Sequence, residues 1–484
     1  MTPEIELKLD ISSEDADRLV ASTLLGVPST SDHRSVYFDT PDHALVKSGF
    51  SLRIRHVAET RIQTVKASGS RSLGLFVRPE WERQIEGDSP ELDVSGPLRA
   101  SFGEKVEDLG PIFETRVRRQ SWLVERPNAI IEVVLDRGVI DAGDRLSPIC
   151  EVELELKSGS RQALFELARD IHRIAPLAPG VLSKAERGYR LLEPKARAMK
   201  AEPIDLDPAM STAQAFTTIA GACLRQFRIN EMLSVASNGE AVHQSRIALR
   251  RLRSALAVFK RMLTGADLDR LNAEVKWLAG ELGKARDLDV LLPRIHDPEI
   301  RAKVRLARAG AFRDVAAKLK SDRKRQLMLD LIEWLTVGPW LSDPDRAHLR
   351  EEPAIDFARI ALDRCRKKVK KRGRDLQDTS DETRHQVRKD AKKMRYAADF
   401  FAALFAAKKS RARRQVKFTE ALDVLQDGLG TLNDIASARS ILQGIGLETD
   451  APAKLLTPAV SKRDLLASAS EAYEDFVAAK RFWT

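Results

Sequence analysis

Cysteine is scarce in this chain. Its 3 cysteines, Cys150, Cys223 and Cys365, are far apart and odd in number. That excludes a disulfide framework and a cysteine-rich zinc site, and points to a reducing compartment. Long apolar runs are also missing. The most apolar stretch, around residues 400–407, is too short to span a bilayer. The N-terminus lacks the basic-then-apolar pattern of a secretory signal. A cytoplasmic protein without membrane association is expected. There is no recognisable Ser/His/Asp set and no cysteine in a catalytic context. Residues 69–74, GSRSLG, lack the lysine context of a Walker loop and read as a simple loop.

What the chain does have is length and charge. Its 484 residues suffice for two or three domains, each with its own core. The net charge of +10 is uneven: residues 1–200 carry −3 and residues 201–484 carry +13. A basic half beside a slightly acidic one suggests that only the second half meets a polyanion over a wide surface. The alternative is a well-solvated helical domain.

The first ordered stretch is Glu4-Ile5-Glu6-Leu7-Lys8-Leu9-Asp10. Strict alternation makes it a strand, with Glu4, Glu6, Lys8 and Asp10 on one face. Such a face is commonly solvated. It can also hold a hard divalent cation beside a phosphate. More alternating segments follow at 34–39, 50–57, 61–67, 79–85, 115–124, 129–136 and 150–157. Their polar faces carry Arg53 and Arg55, then Thr64 and Lys66, then Glu80 and Glu82. Arg116, Arg118 and Trp122 share the next face, then Glu132 and Asp136, then Glu151, Glu153 and Glu155. Helices are expected over 12–25, 160–174 and 182–192, with Ser12 and Ser160 as N-caps. Short strands with few helices predict an antiparallel sheet or barrel. If it closes, its lumen is rich in both signs of charge, and a multiply charged ligand with metal would compensate them.

This half resembles the CYTH domain, the triphosphate tunnel metalloenzymes. Glu4-x-Glu6-x-Lys8 matches the E-x-E-x-K signature, Arg53-x-Arg55 the R-x-R strand, and Lys66 the lysine after it. Glu151-x-Glu153 matches the late E-x-E strand, and Ser183-Lys184 the late S-K. The resemblance covers about residues 1–195. It implies an eight-stranded antiparallel tunnel, a triphosphate ligand, and Mg2+ or Mn2+ as cofactor. It further implies metal ligation by Glu4, Glu6, Glu151 and Glu153. Lys8, Arg53, Arg55, Lys66, Arg116, Arg118 and Lys184 would grip phosphate oxygens, with the register among Arg116, Arg118 and Arg119, and of Glu80 against Glu82, left open. Asp136 or Glu132 would assist catalysis at metal or water. Phosphoryl transfer needs this mixture, because it is chiefly positioning and charge neutralisation. Arginine forks grip phosphate bidentately, and lysine acts as a point charge.

Residues 193–211, with Pro194, Pro203 and Pro208, read as a linker, placing a helical domain at 212–484. An internal repeat marks that domain. His243-Gln-Ser-Arg246-Ile-Ala-Leu-Arg250-Arg251-Leu-Arg253 is echoed 142 residues later by His385-Gln-Val-Arg388-Lys-Asp-Ala-Lys392-Lys393-Met-Arg395. The two copies are expected at about 212–295 and 354–445. On a helix, His243, Arg246, Arg250 and Arg253 form one stripe, as do His385, Arg388, Lys392 and Arg395. A lone basic stripe is ordinarily a solvated face; two equivalent ones argue for a polyanion groove. Arg286, Asp287, Asp289, Asn433 and Asp434 read as binding residues or as helix caps and packing residues, the latter favoured.

The doubled H-x-x-R-x-x-x-(R/K)-(R/K)-x-R pattern resembles the CHAD domain over about 212–480. That implies an α-helical module binding inorganic polyphosphate through both stripes, with Arg251 and Lys393 included. The resulting expectation is an α+β protein: an N-terminal β tunnel followed by an all-α bundle with an internal repeat. Its expected activity is metal-dependent hydrolysis of inorganic triphosphate or short polyphosphate by direct attack of water. The expected location is the cytoplasm, with polyphosphate granules as one place within it. The alternatives are an adenylate cyclase or nucleoside triphosphatase, and a non-catalytic polyphosphate-binding protein. Nucleic acid is the weaker ligand, because the stripes hold no interleaved aromatics for base stacking.

Overall fold

The computed structural model describes residues 4–67, 75–92, 108–193, 197–235, 238–263, 265–447 and 462–484, with Leu98 and Phe102 besides. The side chains of residues 4, 75–78, 433–437 and 462 lie outside the description, as does the loop expected at 69–74. Two compact units emerge. One is Met1–Arg197 with Asp322–Val337; the other is Ala198–Ser321 with Gly338–Thr484.

The first unit is built on one antiparallel sheet. Its strands are β1 (Glu4–Asp10), β2 (Ser29–Asp39), β3 (Phe50–Val57), β4 (Thr60–Ala67) and β5 (Leu75–Arg78). Then come β6 (Glu80–Ile85), β7 (Gly110–Arg126), β8 (Ala129–Asp141), β9 (Leu146–Gly159) and β10 (Ala178–Pro179). They order as β10-β1-β9-β8-β7-β2-β3-β4-β6, with β5 on β1. Only Pro79 separates β5 from β6, yet β5 pairs with β1 and β6 with β4. Proline suits such a corner, since it has no N–H to give to a ladder. The sheet therefore curls into a tunnel-like form without full hydrogen-bonded closure. Eight strands were expected. The two additional ones are β5, which directly follows the glycine-rich loop sequence, and β10, which is too short to show a period.

Alternation gives this tunnel a charged inside and an apolar outside. On β9, Val152 and Leu154 are fully buried outward, while Glu151, Glu153 and Glu155 alternate with them. Helix α1 (Ser13–Ala21) starts as expected: the Ser12 hydroxyl accepts the Asp15 N–H at 3.1 Å, a cap worth about 1 kcal/mol. After α2 (Ala44–Lys47), α3 (Gln162–Ile174) packs on β9 and α1, burying Leu164, Phe165, Leu167, Ala168 and Ile171. Ser160 is not its cap; that position falls to Arg161, without a side-chain bond. Ser183 and Glu186 form a reciprocal capping box that starts α4 (Lys184–Leu192).

The second unit is helical. It holds α5 (Thr212–Ser234), α6 (Gly239–Val258), α7 (Ala266–Leu291) and α8 (Pro298–Lys320). Helix α9 (Asp322–Val337) belongs to the tunnel unit instead. The helical unit resumes with α10 (Ala347–Glu351), α11 (Ala354–Arg372), α12 (Asp381–Phe401), α13 (Lys409–Gly444) and α14 (Lys462–Ala478). Part of the proline-rich stretch before it is docked. Ile204 and Leu206 are buried, and Met199 exchanges two hydrogen bonds with the Asn230 amide on α5.

The sequence repeat becomes a local twofold relation. Thr212 N–H donates to Glu352 O at 2.8 Å, and Ala354 N–H to Met210 O at 3.0 Å. The two bonds are the same bond shifted by the repeat offset. Phe259 and Phe401, likewise equivalent, approach with centroids 5.9 Å apart. The amphipathic faces of α6 and α12 thus pack on each other at the core.

Candidate active site

A cavity of about 520 Å³ runs inside the tunnel. Strand register decides what faces it. Tyr37, Arg53, Thr64 and Glu82 form one row across β2, β3, β4 and β6. Ser51, Lys66 and Glu80 form the next. On the other wall Glu6, Glu155 and Glu132 are in register across β1, β9 and β8. All of these side chains line the cavity. Lys66 pairs with Glu80 at 2.8 Å, Thr64 donates to Glu82 at 2.9 Å, and Lys157 bridges Glu132 and Glu155, each at 2.7 Å.

The inner end of the cavity is a buried ionic cluster. Lys8 donates to Glu151 at 2.9 Å and to Glu153. Lys184, at the start of α4, pairs with Asp136 at 2.7 Å, Glu153 at 3.1 Å, and Glu151. Arg119 grips Asp136 with two bonds, at 2.8 and 2.7 Å. Asp136 and Glu151 are fully buried, and Lys8 is 2% exposed. Burying such charges costs several kcal/mol each unless they are paired, which explains the density of the network. Burial alone would raise the Glu153 carboxyl, but Lys184, Lys8 and Arg119 hold it well below the usual carboxylate range. Burial would likewise lower Lys184, but Asp136, Glu151 and Glu153 drive it well above an ordinary lysine. Lys8 is also raised; Glu151 and Glu153 overcome its burial. The lumen therefore keeps fixed charges of both signs across the neutral pH range.

Arg53 is held by Tyr37. Burial opposes its charge, but the Tyr37 hydroxyl and Glu80 raise its pKa. Tyr37 in turn stacks on Phe113 with centroids 4.6 Å apart. His33 on β2 lies near Arg119 and Asp136; burial and Arg119 lower its pKa.

Most of the residues expected in the lumen meet there: Glu6, Lys8, Arg53, Arg55, Lys66, Glu132, Glu153 and Lys184 line the cavity. Glu151 and Asp136 sit behind them in the cluster. The Glu4 side chain lies outside the described residues. Arg116 and Arg118 are corrected: both are exposed on the outer face, where Arg116 pairs with Glu114 and Asp141. The lumen arginine of β7 is Arg119, opposite Asp136. The inward positions of β7 are odd-numbered, and neighbouring arginines at 116, 118 and 119 hid that parity. The open register among Arg116, Arg118 and Arg119 falls to Arg119, while Tyr37, Glu155 and Lys157 were not singled out, although Glu155 shares the face that was read for Glu151 and Glu153.

The oxygens of Asp136, Glu151 and Glu153 lie within 4.8 Å of one another, a spacing that suits a metal ion. Lysine and arginine already neutralise this triad. Glu6 and Glu155 face each other nearer the open lumen, and two carboxylates directly opposite repel unless a cation lies between or beside them. The donor set is all carboxylate oxygen, which fits a hard divalent cation.

In the helical unit the two stripes approach each other. The charge of Arg388 on α12 acts on Arg246 on α6; burial first, then Arg250 and Arg388, lower the pKa of Arg246 against the pull of Asp287. Gly283 and Gly430 lie beneath the two guanidinium groups: a Cβ there would stand 3.4 Å from Arg246 and 3.9 Å from Arg388. His243 is pushed down to about 4, by burial and then by Arg286. Its Nδ1 and the Nε of Arg250 are buried without a partner. Further along, Arg253 donates to Asn272 at 3.3 Å and Arg395 pairs with Asp423 at 2.6 Å.

Two stripe members are corrected. Arg251 is 4% exposed, donates to Gln226 at 3.0 Å, and lies 5.6 Å over the Phe400 ring. Lys393 lines a separate pocket of about 50 Å³ with Arg364, Lys368 and Asp390. The reason is helical geometry: the residue after Arg250 or Lys392 turns about 100° away. Arg286 and Asp289 pair at 2.8 Å, and Arg308 on α8 reaches Asp289 at 2.6 Å. These are packing ties within α7 and between α7 and α8, not caps. Asn433 and Asp434 have side chains outside the described residues.

Among the described residues no helix is long and apolar enough to cross a membrane. Known proteins give a consistent picture. An inorganic triphosphatase from Haemophilus influenzae is 37% identical over 200 residues, 40% of this chain. The match spans 55% of that protein's length. The crystal structure of a CHAD domain from the plant Ricinus communis is 28% identical, covering 59% of this chain and 98% of that one, with a TM-score of 0.49. A Hippeastrum protein, titled as an adenylyl cyclase with a dominant triphosphatase activity, is 18% identical. It covers 40% of this chain and 98% of that one, with a TM-score of 0.32. The CYTH domain model matches residues 2–189 and the CHAD domain model residues 218–443. The chain therefore carries a CYTH domain over residues 2–189 and a CHAD domain over residues 218–443.

Proposed function

We propose that the tunnel hydrolyses inorganic triphosphate or short polyphosphate with a divalent cation, and that the helical unit binds longer polyphosphate. One observation carries the reading: the lumen sets Arg53, Arg55 and Lys66 against Glu6, Glu153 and Glu155. A phosphate chain with a bound cation matches both signs at once. The Haemophilus triphosphatase supports the same activity.

The residues divide the work. Arg53, oriented by Tyr37, and Arg55 grip equatorial phosphoryl oxygens. Lys66 and Lys8 add point charges along the chain. Arg119 and Lys184, fixed by Asp136, stabilise the charge that develops as the bond breaks. Glu6, Glu153 and Glu155 would hold Mg2+ or Mn2+, with Glu151 and Asp136 behind them and Glu4 as a further ligand. The cation supplies Lewis-acid polarisation of a phosphoryl oxygen and lowers the pKa of an attacking water. Glu132, held at the lumen wall by Lys157, would accept a proton from the attacking water. In the helical unit, His243, Arg246 and Arg250 with His385, Arg388 and Lys392 make the polyphosphate surface. Arg253 and Arg395 extend it.

The test is phosphate release from tripolyphosphate and from ATP, with Mg2+, with Mn2+ and with chelator. Cation-dependent release from tripolyphosphate, well above that from ATP, is the expected result. Preference for ATP would favour a nucleoside triphosphatase, pyrophosphate with a cyclic product a cyclase, and no turnover a binding protein.

A further inference from the structure

Helix α9 lies within the residues matched by the CHAD model, yet it packs in the tunnel unit against α3 and β10. Arg169 on α3 pairs with Asp330 at 2.9 Å and with Glu333. Gln162 donates to Glu333 at 2.7 Å. At the start of α9, Asp322 lies 2.7 Å from His172 Nε2. The other ring nitrogen is used as well: the Leu177 N–H donates to His172 Nδ1 at 3.0 Å. A neutral ring whose Nδ1 accepts carries its proton on Nε2, so Nε2 donates to Asp322. Gln326 holds the second oxygen of Asp322 at 2.7 Å.

Leu177 immediately precedes β10. Ala178 and Pro179 pair with Asp10 and Leu9 on β1. The Gly180 N–H then donates to Lys8 O at 2.9 Å. A Cβ at Gly180 would stand 2.7 Å from Lys8 Cγ, so only glycine lets the chain lie this close. Ser183 follows as the cap of α4, and Lys184 enters the buried cluster. One connected path thus runs from Asp322 to the backbone that sets both lumen lysines.

We infer that Asp322 and His172 are positioning residues for the lumen. Through them α9 fixes the segment from Leu177 to Lys184, and so fixes where Lys8 and Lys184 stand toward a bound phosphate chain. The Asp322 side chain is 59% exposed, so its hydrogen bond to the neutral His172 ring adds little to global stability. Its effect is therefore local order, not global stability. The chain leaves the helical unit after Ser321 and returns at Gly338, so this helix also ties the helical sequence covalently to the lumen. The kinetic part of the inference rests on the proposed triphosphatase activity; the structural part does not.

The experiment compares the full chain with Asp322→Ala and Asp322→Glu. It reads amide hydrogen exchange over 177–184 and over β8, and kcat and KM for tripolyphosphate. For Asp322→Ala, exchange over 177–184 should accelerate at least threefold while β8 is unchanged. KM should rise at least threefold with a smaller change in kcat. Asp322→Glu should recover most of both. Unchanged exchange over 177–184 overturns the inference, as does equal acceleration in β8, which would mark plain destabilisation. Faster local exchange with unaltered KM removes the link to the lumen. If the unaltered chain turns over no tripolyphosphate, the triphosphatase reading fails, and the exchange data alone decide the relay.

Discussion

Glu6 on β1 stands directly opposite Glu155 on β9, and both carboxylates face the lumen. Like charges in register repel, and Lys157 at Glu155 and Lys8 near Glu6 offset part of that repulsion. A divalent cation relieves that repulsion. Glu6→Gln removes one charge and keeps the size. It should leave the protein folded in chelator while lowering metal-dependent phosphate release by at least two orders of magnitude. Full turnover of tripolyphosphate in this variant at saturating cation would sink the metal-site assignment.

Arg118 and Arg119 are adjacent in sequence and opposite in placement. Arg119 binds Asp136 at the inner end of the cavity, whereas Arg118 is exposed. Arg119→Ala should cut kcat/KM at least a hundredfold, as loss of a group stabilising transferring phosphate does. Arg118→Ala should change it less than threefold. Because Arg119→Ala also removes two hydrogen bonds from buried Asp136, Arg119→Lys serves as a folded control and should be intermediate. Equal effects of the alanine changes at 118 and 119 would contradict the register of β7.

Arg53 and Tyr37 form a testable pair of another kind. Tyr37→Phe keeps the stacking on Phe113 and removes the hydroxyl that orients Arg53. The expected loss in kcat/KM is about tenfold, one hydrogen bond to a charged group. Arg53→Ala should cost more, and adding Tyr37→Phe to it should cost little further, since the two act through one guanidinium. Additive losses in a double-mutant cycle would show that Tyr37 acts elsewhere.

Much of this architecture was legible in the sequence. Period-two alternation placed Arg53, Arg55, Lys66 and the β9 glutamates on the lumen face, because a strand's side-chain period is fixed at two. The same period failed at β7, since parity alone does not say which face turns inward when both carry arginine. The helical repeat gave the stripes, and the residues just past Arg250 and Lys392 show its limit: a motif lists neighbours that a helix sends about 100° apart. Helix α9 was invisible as a member of the tunnel unit. Its tie to α3 spans more than 150 residues, and no local pattern encodes a pairing at that range.

The basic stripes predict a salt-sensitive, localised polyphosphate site. Arg246, Arg250 and Arg253 share one helix face, whereas Arg301, Lys303 and Arg305 are exposed on α8. Replacing either trio by alanine removes the same charge. With chelator present to stop hydrolysis, the α6 trio should weaken binding of labelled polyphosphate at least tenfold more than the α8 trio. Binding by the unaltered chain should fall steeply with salt, because each phosphate contact releases counterions. Equal losses from the two trios would mean a diffuse basic surface.

His243 gives the site a pH dependence whose sign is fixed. In the free protein its pKa is pushed down to about 4, first by burial and then by Arg286. The ring is neutral at pH 7, and the unfolded chain would hold the proton up to about 6.5. The depressed value means that stability is fully present above about 6.5 and is lost as pH falls toward 4. A polyphosphate laid along Arg246 and Arg250 places negative charge beside the ring and raises its pKa. Binding must then take up a proton, and affinity must rise as pH falls through the bound-state value. Calorimetric titration at pH 5.5 in two buffers of different ionisation heat measures that uptake. A net uptake is expected for the unaltered chain, and a smaller one for His243→Asn, which keeps a polar amide near the Nδ1 position without the titration. Identical uptake in both proteins would show that the bound anion lies away from His243, and the groove would have to be redrawn around Arg388 and Lys392 alone.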